Sequence, residues 1–195
     1  MSHYFTNNDS DLVTREIEAT IFGHDLTFTT ANGVFSGSRL DPGTAVLLRS
    51  VAPPESGRVL DLGCGFGPIA VGLAVASPGL RVDAVDVNER ALALTRRNAE
   101  RAGVADRVRT HSPEGVVYDE IWSNPPIRIG KQALHELLLT WLPRLRDGGV
   151  AHLVVGKNLG ADSLTTWLNE QGWPTRKVAS AKGFRVLRVS RDAET

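Results

Sequence analysis

The chain has 195 residues, 42% hydrophobic and 23% charged, with 22 basic residues balancing 22 acidic ones. That length holds one substantial core and not two ordinary domains with a linker, and the composition excludes a disordered or fibrous protein. Zero net charge gives no global pull toward nucleic acid or acidic membrane, no apolar run approaches the roughly 20 residues of a membrane span, and the single cysteine, Cys64, excludes an internal disulfide or a cysteine-built metal site.

The first stretch, Met1 to Asp11, is polar and acidic, unlike the basic-then-apolar pattern of a secretory signal, so a cytoplasmic location is expected. Glu16–Ile21 and Leu26–Thr29 alternate polar and apolar side chains around Gly23-His24-Asp25, which predicts a β-hairpin ahead of the main fold. A helix is expected from Pro42 or Thr44 to Val51, stopped by Ala52-Pro53-Pro54-Glu55-Ser56-Gly57. From Arg58 on, short apolar runs alternate with helical segments. Val59–Leu62 precedes Pro68–Ala76, Val82–Val85 precedes Glu89–Arg101, Val108–Thr110 and Ile121-Trp122 precede Lys131–Leu145, and Val150–Val155 precedes Ser163–Gln171. Such alternation implies a mainly parallel sheet covered on both faces. Thr175–Ser180 and Phe184–Ser190 flank a Lys182-Gly183 turn and are expected to pair as an antiparallel hairpin at the sheet edge. Residues 1–40 are thus expected as a small β extension packed on a main domain of residues 41–195, the whole being a single structural domain.

Asp61-Leu62-Gly63-Cys64-Gly65-Phe66-Gly67-Pro68 falls where a buried strand ends and a helix begins. Alternate glycines allow a tight turn and close approach of a ligand, and Pro68 suits the first helical turn, whose free N–H groups face that ligand. Nineteen residues after Gly67, Asp86 ends the next strand, where a carboxylate can accept both hydroxyls of a ribose. Gly65-Phe66-Gly67-Pro68-Ile69-Ala70 also satisfies the G-x-G-x-x-A dinucleotide fingerprint, so a nicotinamide-dependent oxidoreductase stands as one reading. Asp61 argues for another ligand: a carboxylate beside the loop suits a positive amino group, which S-adenosylmethionine carries. The D-x-G-x-G-x-G run followed by Ala84-Val85-Asp86-Val87-Asn88 resembles the cofactor half of the class I S-adenosylmethionine-dependent methyltransferases. The resemblance implies a Rossmann-like, seven-stranded, mostly parallel sheet with an antiparallel C-terminal hairpin. It also implies cofactor contacts from Asp61, Gly63, Cys64, Gly65, Gly67, Asp86 and Val87, and from Thr44 and Asn124 elsewhere in the chain. Where the family usually has an adenine-contacting acid, this chain has Thr110-His111-Ser112-Pro113-Glu114.

Ser123-Asn124-Pro125-Pro126-Ile127 follows the next strand. Two prolines fix the backbone and remove two N–H donors, which makes either a simple strand stop or a rigid turn with aimed carbonyls. At the carboxyl end of a strand beside the glycine loop, the second reading carries chemistry. An exocyclic amine is a poor nucleophile because its lone pair is delocalised. The Asn124 amide oxygen and the Pro125 carbonyl, each accepting one of its N–H bonds, favour a pyramidal nitrogen with that lone pair exposed. Asn-Pro-Pro-x resembles the signature of methyltransferases acting on exocyclic or amide nitrogens. Asn-Pro-Pro-Ile, with Asn32-Gly33-Val34-Phe35-Ser36, Gly130-Lys131, His135-Glu136-Leu137-Leu138 and Lys182–Leu187, is similar to the small-domain methyltransferases, a group that includes bacterial guanine-N2 methyltransferases of small-subunit ribosomal RNA.

The resemblance, which runs from about Tyr4 to Arg188, implies an S-adenosylmethionine-dependent N-methyltransferase acting on an exocyclic amino group, with guanine N2 of ribosomal RNA as the favoured target and catalysis resting on Asn124, Pro125, Pro126 and Ile127. A protein amide such as glutamine, or a small amine, is the alternative target. Ile127 stands where many relatives carry a stacking aromatic, so Phe35, in a glycine-bounded loop, is expected to stack on the base, ahead of Trp122 and Phe184. Thr44 is expected to close the cofactor site or to start its helix. Arg39, Arg128 and Lys131 are either phosphate contacts or solvated surface, as is the acid-free basic stretch of Arg176, Lys177, Lys182, Arg185, Arg188 and Arg191. His3, His24, His111, His135 and His152 have no metal spacing, and Cys64 is expected to pack under the cofactor rather than react.

Overall fold

The structure, a computed structural model, describes residues 12–192. The acidic stretch 1–11, with His3, lies outside them. The chain runs β1 (Thr14–Ile21), β2 (His24–Ala31), α1 (Pro42–Ser50), β3 (Ser56–Leu62), α2 (Pro68–Ala76), β4 (Gly79–Val85), α3 (Glu89–Arg101), β5 (Val108–Arg109), β6 (Tyr118–Ser123), α4 (Lys131–Trp141), β7 (Leu145–Gly156), α5 (Ala161–Glu170), β8 (Thr175–Ala181) and β9 (Phe184–Ser190).

Seven strands form one sheet in the order β5-β4-β3-β6-β7-β9-β8. Those from β5 to β7 are parallel, and β9 pairs antiparallel with both β7 and β8. Successive side chains of a strand point to opposite faces, so Val59 and Leu60 seed two separate cores. Val59, Val82, Ala84 and Trp122 pack with α1, α2, α3 and the β1–β2 hairpin, whereas Leu60, Leu62, Ile121 and Leu153 pack with Leu134 and Leu138 of α4 and Leu164 and Leu168 of α5. Trp122 is fully buried, which makes it a core residue.

The β1–β2 hairpin is a two-stranded sheet of its own, seated on this core through Ile21, Phe28 and Ala31. Its turn is Phe22-Gly23, one residue earlier than the sequence pattern suggests, because both central residues take positive φ, as a two-residue primed turn demands. Lys182-Gly183 makes the same turn between β8 and β9, at the expected place. Two boundaries move for a chemical reason. Helix α4 stops at Trp141 rather than Leu145 because Pro143 turns Leu142–Arg144 into a 3₁₀ segment. Strand β7 then begins at Leu145, five residues ahead of the apolar run. Among the described residues, no helix is long and apolar enough to cross a membrane.

Candidate active site

The parallel strands bring the predicted residues to one level. In register, Leu62 of β3 faces Val85 of β4, and Asp61 faces Trp122 of β6. Gly63, Asp86 and Asn124 therefore leave three adjacent strands side by side, neighbours about 5 Å apart in the hydrogen-bonding direction. The Ser123 hydroxyl donates to the Leu62 carbonyl (2.7 Å) and Gly63 and Cys64 N–H donate to the Val85 carbonyl (2.9 and 3.0 Å), tying the three strand ends together. Because β4 and β6 lie on opposite sides of β3, their connections diverge and open the crevice in which such sheets hold ligands.

The glycines divide the work. A Cβ built on Gly63 or Gly65 meets nothing within 4 Å, so both present bare backbone to open space. One on Gly67 would lie 3.0 Å from the Thr95 side chain, so Gly67 serves the packing of α2 against α3. Cys64 is buried, its Sγ 3.4 Å from Thr95 Oγ1, and burial together with nearby Asp61 pushes its thiol pKa well up, as fits packing rather than nucleophilic chemistry.

Asp61 is fully buried where the loop meets the first turn of α2. Its Oδ2 accepts from Ala70 N–H (3.0 Å), while its Oδ1 has no partner. Desolvation, offset by the Ala70 hydrogen bond and reinforced by the charge of Asp86, pushes its carboxyl up to about 8. Asp86 accepts Gly65 N–H on one oxygen and Asn88 N–H on the other, both at 2.9 Å, which fixes the carboxylate and leaves each oxygen free to accept again. The next residue, Val87, is 73% exposed.

Asn124 is half-buried, and its Nδ2 donates to Asp41 Oδ2 (2.8 Å) and to Thr44 Oγ1 (3.0 Å). Asp41 also caps α1, accepting Thr44 N–H at 3.0 Å. Sequence reading finds Thr44 and misses Asp41, although Asp-Pro-Gly-Thr is a legible cap; what hides its second role is the separation of 83 residues from Asn124. Pro125 and Pro126 make a tight turn in which Pro126 (φ −75°, ψ 80°) is the centre of an inverse γ-turn, so the Pro125 carbonyl already accepts Ile127 N–H (2.9 Å) and has one lone pair to spare. Ile127 packs against the α4-side core.

Phe35 is 64% exposed in the loop between β2 and α1. One end of that loop is pinned beside Asp86, by Asn88 Nδ2 on the Gly33 carbonyl and Arg90 on the Asn32 carbonyl (both 2.8 Å). At the other end Ser36 holds the Arg39 carbonyl (2.7 Å), two residues before Asp41. The loop therefore runs from the Asp86 side of the crevice to the Asn124 side. Phe184 does not stand free: its ring lies against Gly43 in the first turn of α1. His135 stacks on Trp167 at 3.5 Å. Ser112 is held by the Tyr118 hydroxyl (2.5 Å), which in turn donates to buried Asp83 (2.8 Å), while Glu114 is exposed.

A glycine loop at the first strand of a 7-stranded sheet of this order and sense defines the class I methyltransferase fold. The family model for the methyltransferase small domain matches residues 25–188, and the chain belongs to that family. An uncharacterized protein of Bacillus subtilis (strain 168), YbxB, is 33% identical over 175 residues, 86% of this chain and 87% of its own. Ribosomal RNA small subunit methyltransferase C of Ectopseudomonas mendocina (strain ymp) is 36% identical over 166 residues, 82% of this chain and 49% of its own. The solved 16S rRNA N2 methyltransferase of T. Thermophilus, in complex with AdoMet and guanosine, superposes with a TM-score of 0.80 at 26% identity, over 92% of this chain and 51% of that one. The chain thus spans about half the length of the ribosomal RNA enzymes it matches.

Proposed function

We propose that this methyltransferase uses S-adenosylmethionine to methylate an exocyclic amino group, guanine N2 of small-subunit ribosomal RNA. The observation that carries the reading is the orientation of Asn124. Its amide nitrogen is committed to Asp41 and Thr44, so its oxygen is the atom turned to the crevice, level with Gly63 and Asp86. The cofactor fits the residues present: the partnerless Oδ1 of Asp61 suits its amino group, the bare backbone of Gly63 and Gly65 gives room for close approach, Asp86 suits its ribose, and Val87 offers apolar surface beside it. Bound there, it supplies a methyl group activated by a sulfonium.

The protein's part is to hold the amine. Asn124 Oδ1 accepts one N–H and the spare lone pair of Pro125 accepts the other, which draws nitrogen electron density out of the purine ring and aims the lone pair. Each such bond contributes about 1 kcal/mol net, whereas alignment of two reactants contributes about 7–11 kcal/mol, so orientation outweighs the hydrogen bonds themselves and no strong base is needed. Phe35 stacks on the base, a role closed to Ile127, an aliphatic side chain that packs partly buried against the α4-side core. RNA as substrate is supported by the small-subunit ribosomal RNA methyltransferases named among its relatives.

The deciding experiment incubates the protein with methyl-labelled S-adenosylmethionine and, separately, total RNA, ribosomal subunits and protein extract from a strain lacking it, followed by digestion and identification of the labelled product. N2-methylguanosine is expected, absent with Asn124→Ala. Label in protein, or none above that control, overturns the assignment.

A further inference from the structure

We propose that Asp41 is the residue that makes Asn124 an acceptor, acting through it as a positioning residue. The inference rests on the reading that Asn124 presents its oxygen to the amine. An amide side chain is nearly symmetric in shape, so packing alone does not decide which end faces a substrate; its partners do. Asp41 Oδ2 lies 2.8 Å from Asn124 Nδ2. A carboxylate accepts and does not donate, so the flipped amide would set two acceptors against each other. The Thr44 hydroxyl, 3.0 Å from the same nitrogen, completes the grip.

Asp41 is itself held in place from three sides. Its Oδ2 accepts Thr44 N–H, which spends the same oxygen on the helix cap and on Asn124. Pro42 fixes the first helical residue. Gly43 leaves the space: a Cβ there would lie 3.0 Å from Asp41 Oδ2 and 2.9 Å from the Phe184 ring. A cap alone would be satisfied by serine, threonine or asparagine. A carboxylate adds negative charge behind the amide, which strengthens Oδ1 as an acceptor while the amine gains positive charge in the transition state.

The test compares Asp41→Ser, Asp41→Asn, Asn124→Ala and the double variant Asp41→Ser with Asn124→Ala, using labelled S-adenosylmethionine and unmodified 16S ribosomal RNA, naked and assembled into small subunits. Serine keeps the cap and is too short to reach Asn124. Asp41→Ser is expected to lower kcat about 10- to 100-fold, with KM for RNA, cofactor affinity and melting temperature close to wild type. Asp41→Asn recovers part of the loss, and the double variant is no slower than Asn124→Ala. In ligand-free, nitrogen-15-labelled protein the Asn124 side-chain amide protons shift upfield and exchange faster in Asp41→Ser; this readout decides the grip whatever the acceptor. Full kcat in Asp41→Ser beside an inactive Asn124→Ala, losses that multiply in the double variant, or an unchanged amide signal each overturn the role of Asp41. Full turnover by Asn124→Ala overturns instead the reading of Asn124 on which it rests.

Discussion

Asp61 is the residue whose physical state departs furthest from that of an ordinary carboxylate. With its native pKa pushed from 3.8 to about 8 by burial, it keeps a proton that the unfolded chain has released across that whole interval. The native state then binds more protons than the unfolded one, so this group makes stability fall as pH rises from about 4 to about 8 and adds no slope above. Asp61→Asn lacks the titration. Its stability relative to wild type, measured by denaturant unfolding without ligand, is expected to rise with pH between 5 and 8, by at most about 1.4 kcal/mol per unit; a flat difference would show Asp61 ionised in the fold. A cationic amino group at the partnerless Oδ1 reverses the balance, so cofactor binding at pH 7 is expected to release a proton, seen calorimetrically as a dependence on buffer ionisation enthalpy. Phe35 makes a complementary prediction. Phe35→Ala removes a largely exposed ring and is expected to raise KM for RNA about tenfold, base stacking being worth about 1–3 kcal/mol, with cofactor affinity unaltered. Equal loss of both would make the loop a cofactor lid.

At the scale of elements, what the sequence made legible depended on whether the signal was local. The hairpin, the strand–helix alternation and the glycine loop are local, and the structure has all three, with the hairpin turn one residue earlier than the alternation suggests. The ends of α4 and β7 moved because Pro143 acts on the residues before it while the apolar run registers only buried positions. Asp41 escaped because the contact joining it to Asn124 exists only after α1 and β6 come together. Asn98 escaped likewise. Within α3 it is buried, accepts Thr29 N–H (2.7 Å) and donates to the carbonyls of Thr29 (2.9 Å) and Phe66 (2.8 Å), so one side chain stitches β2 and the glycine loop to α3. Nothing in an Arg-Arg-Asn-Ala helical run announces this. Asn98→Ala strands those backbone groups away from water and is expected to cost about 3 kcal/mol in denaturant unfolding. A loss under about 0.5 kcal/mol would mean that water replaces the amide.

For the molecule as a whole, zero net charge conceals an uneven surface. Because β9 pairs Phe184 with Gly156 at the carboxyl end of β7, the Lys182-Gly183 turn stands at the same end of the sheet as Asn124, and Lys157 N–H bonds the Gly183 carbonyl (2.8 Å). Exposed Arg128, Lys131, Lys157 and Lys182 fall at that end, Arg39 lines a hollow with Phe22 of the hairpin and Ala45, Leu48 and Arg49 of α1, and Arg176 and Lys177 lie toward the other end of edge strand β8. The basic C-terminal segment is therefore two regions. Arg185 is paired with Asp162 and belongs to neither. Charge reversal at Lys157 and Lys182 is expected to weaken RNA binding and flatten its salt dependence by about 0.7 per lost contact to a single strand, while reversal at Arg176 and Lys177 changes both less. The opposite ranking would move the RNA path to the far end of the sheet.

Strand β9 has one further consequence, for the order in which the molecule comes into being. Among the described strands it comes last in chain order, yet it lies in the interior of the sheet between β7 and β8, and its first residue, Phe184, seats the helix turn that holds Asp41. A nascent chain that has reached only Ala181 has every residue named for chemistry and cofactor but no finished sheet to set them against. Catalytic competence thus waits on the insertion of β9, and turnover reports folding through Ser190 rather than of the preceding strands alone.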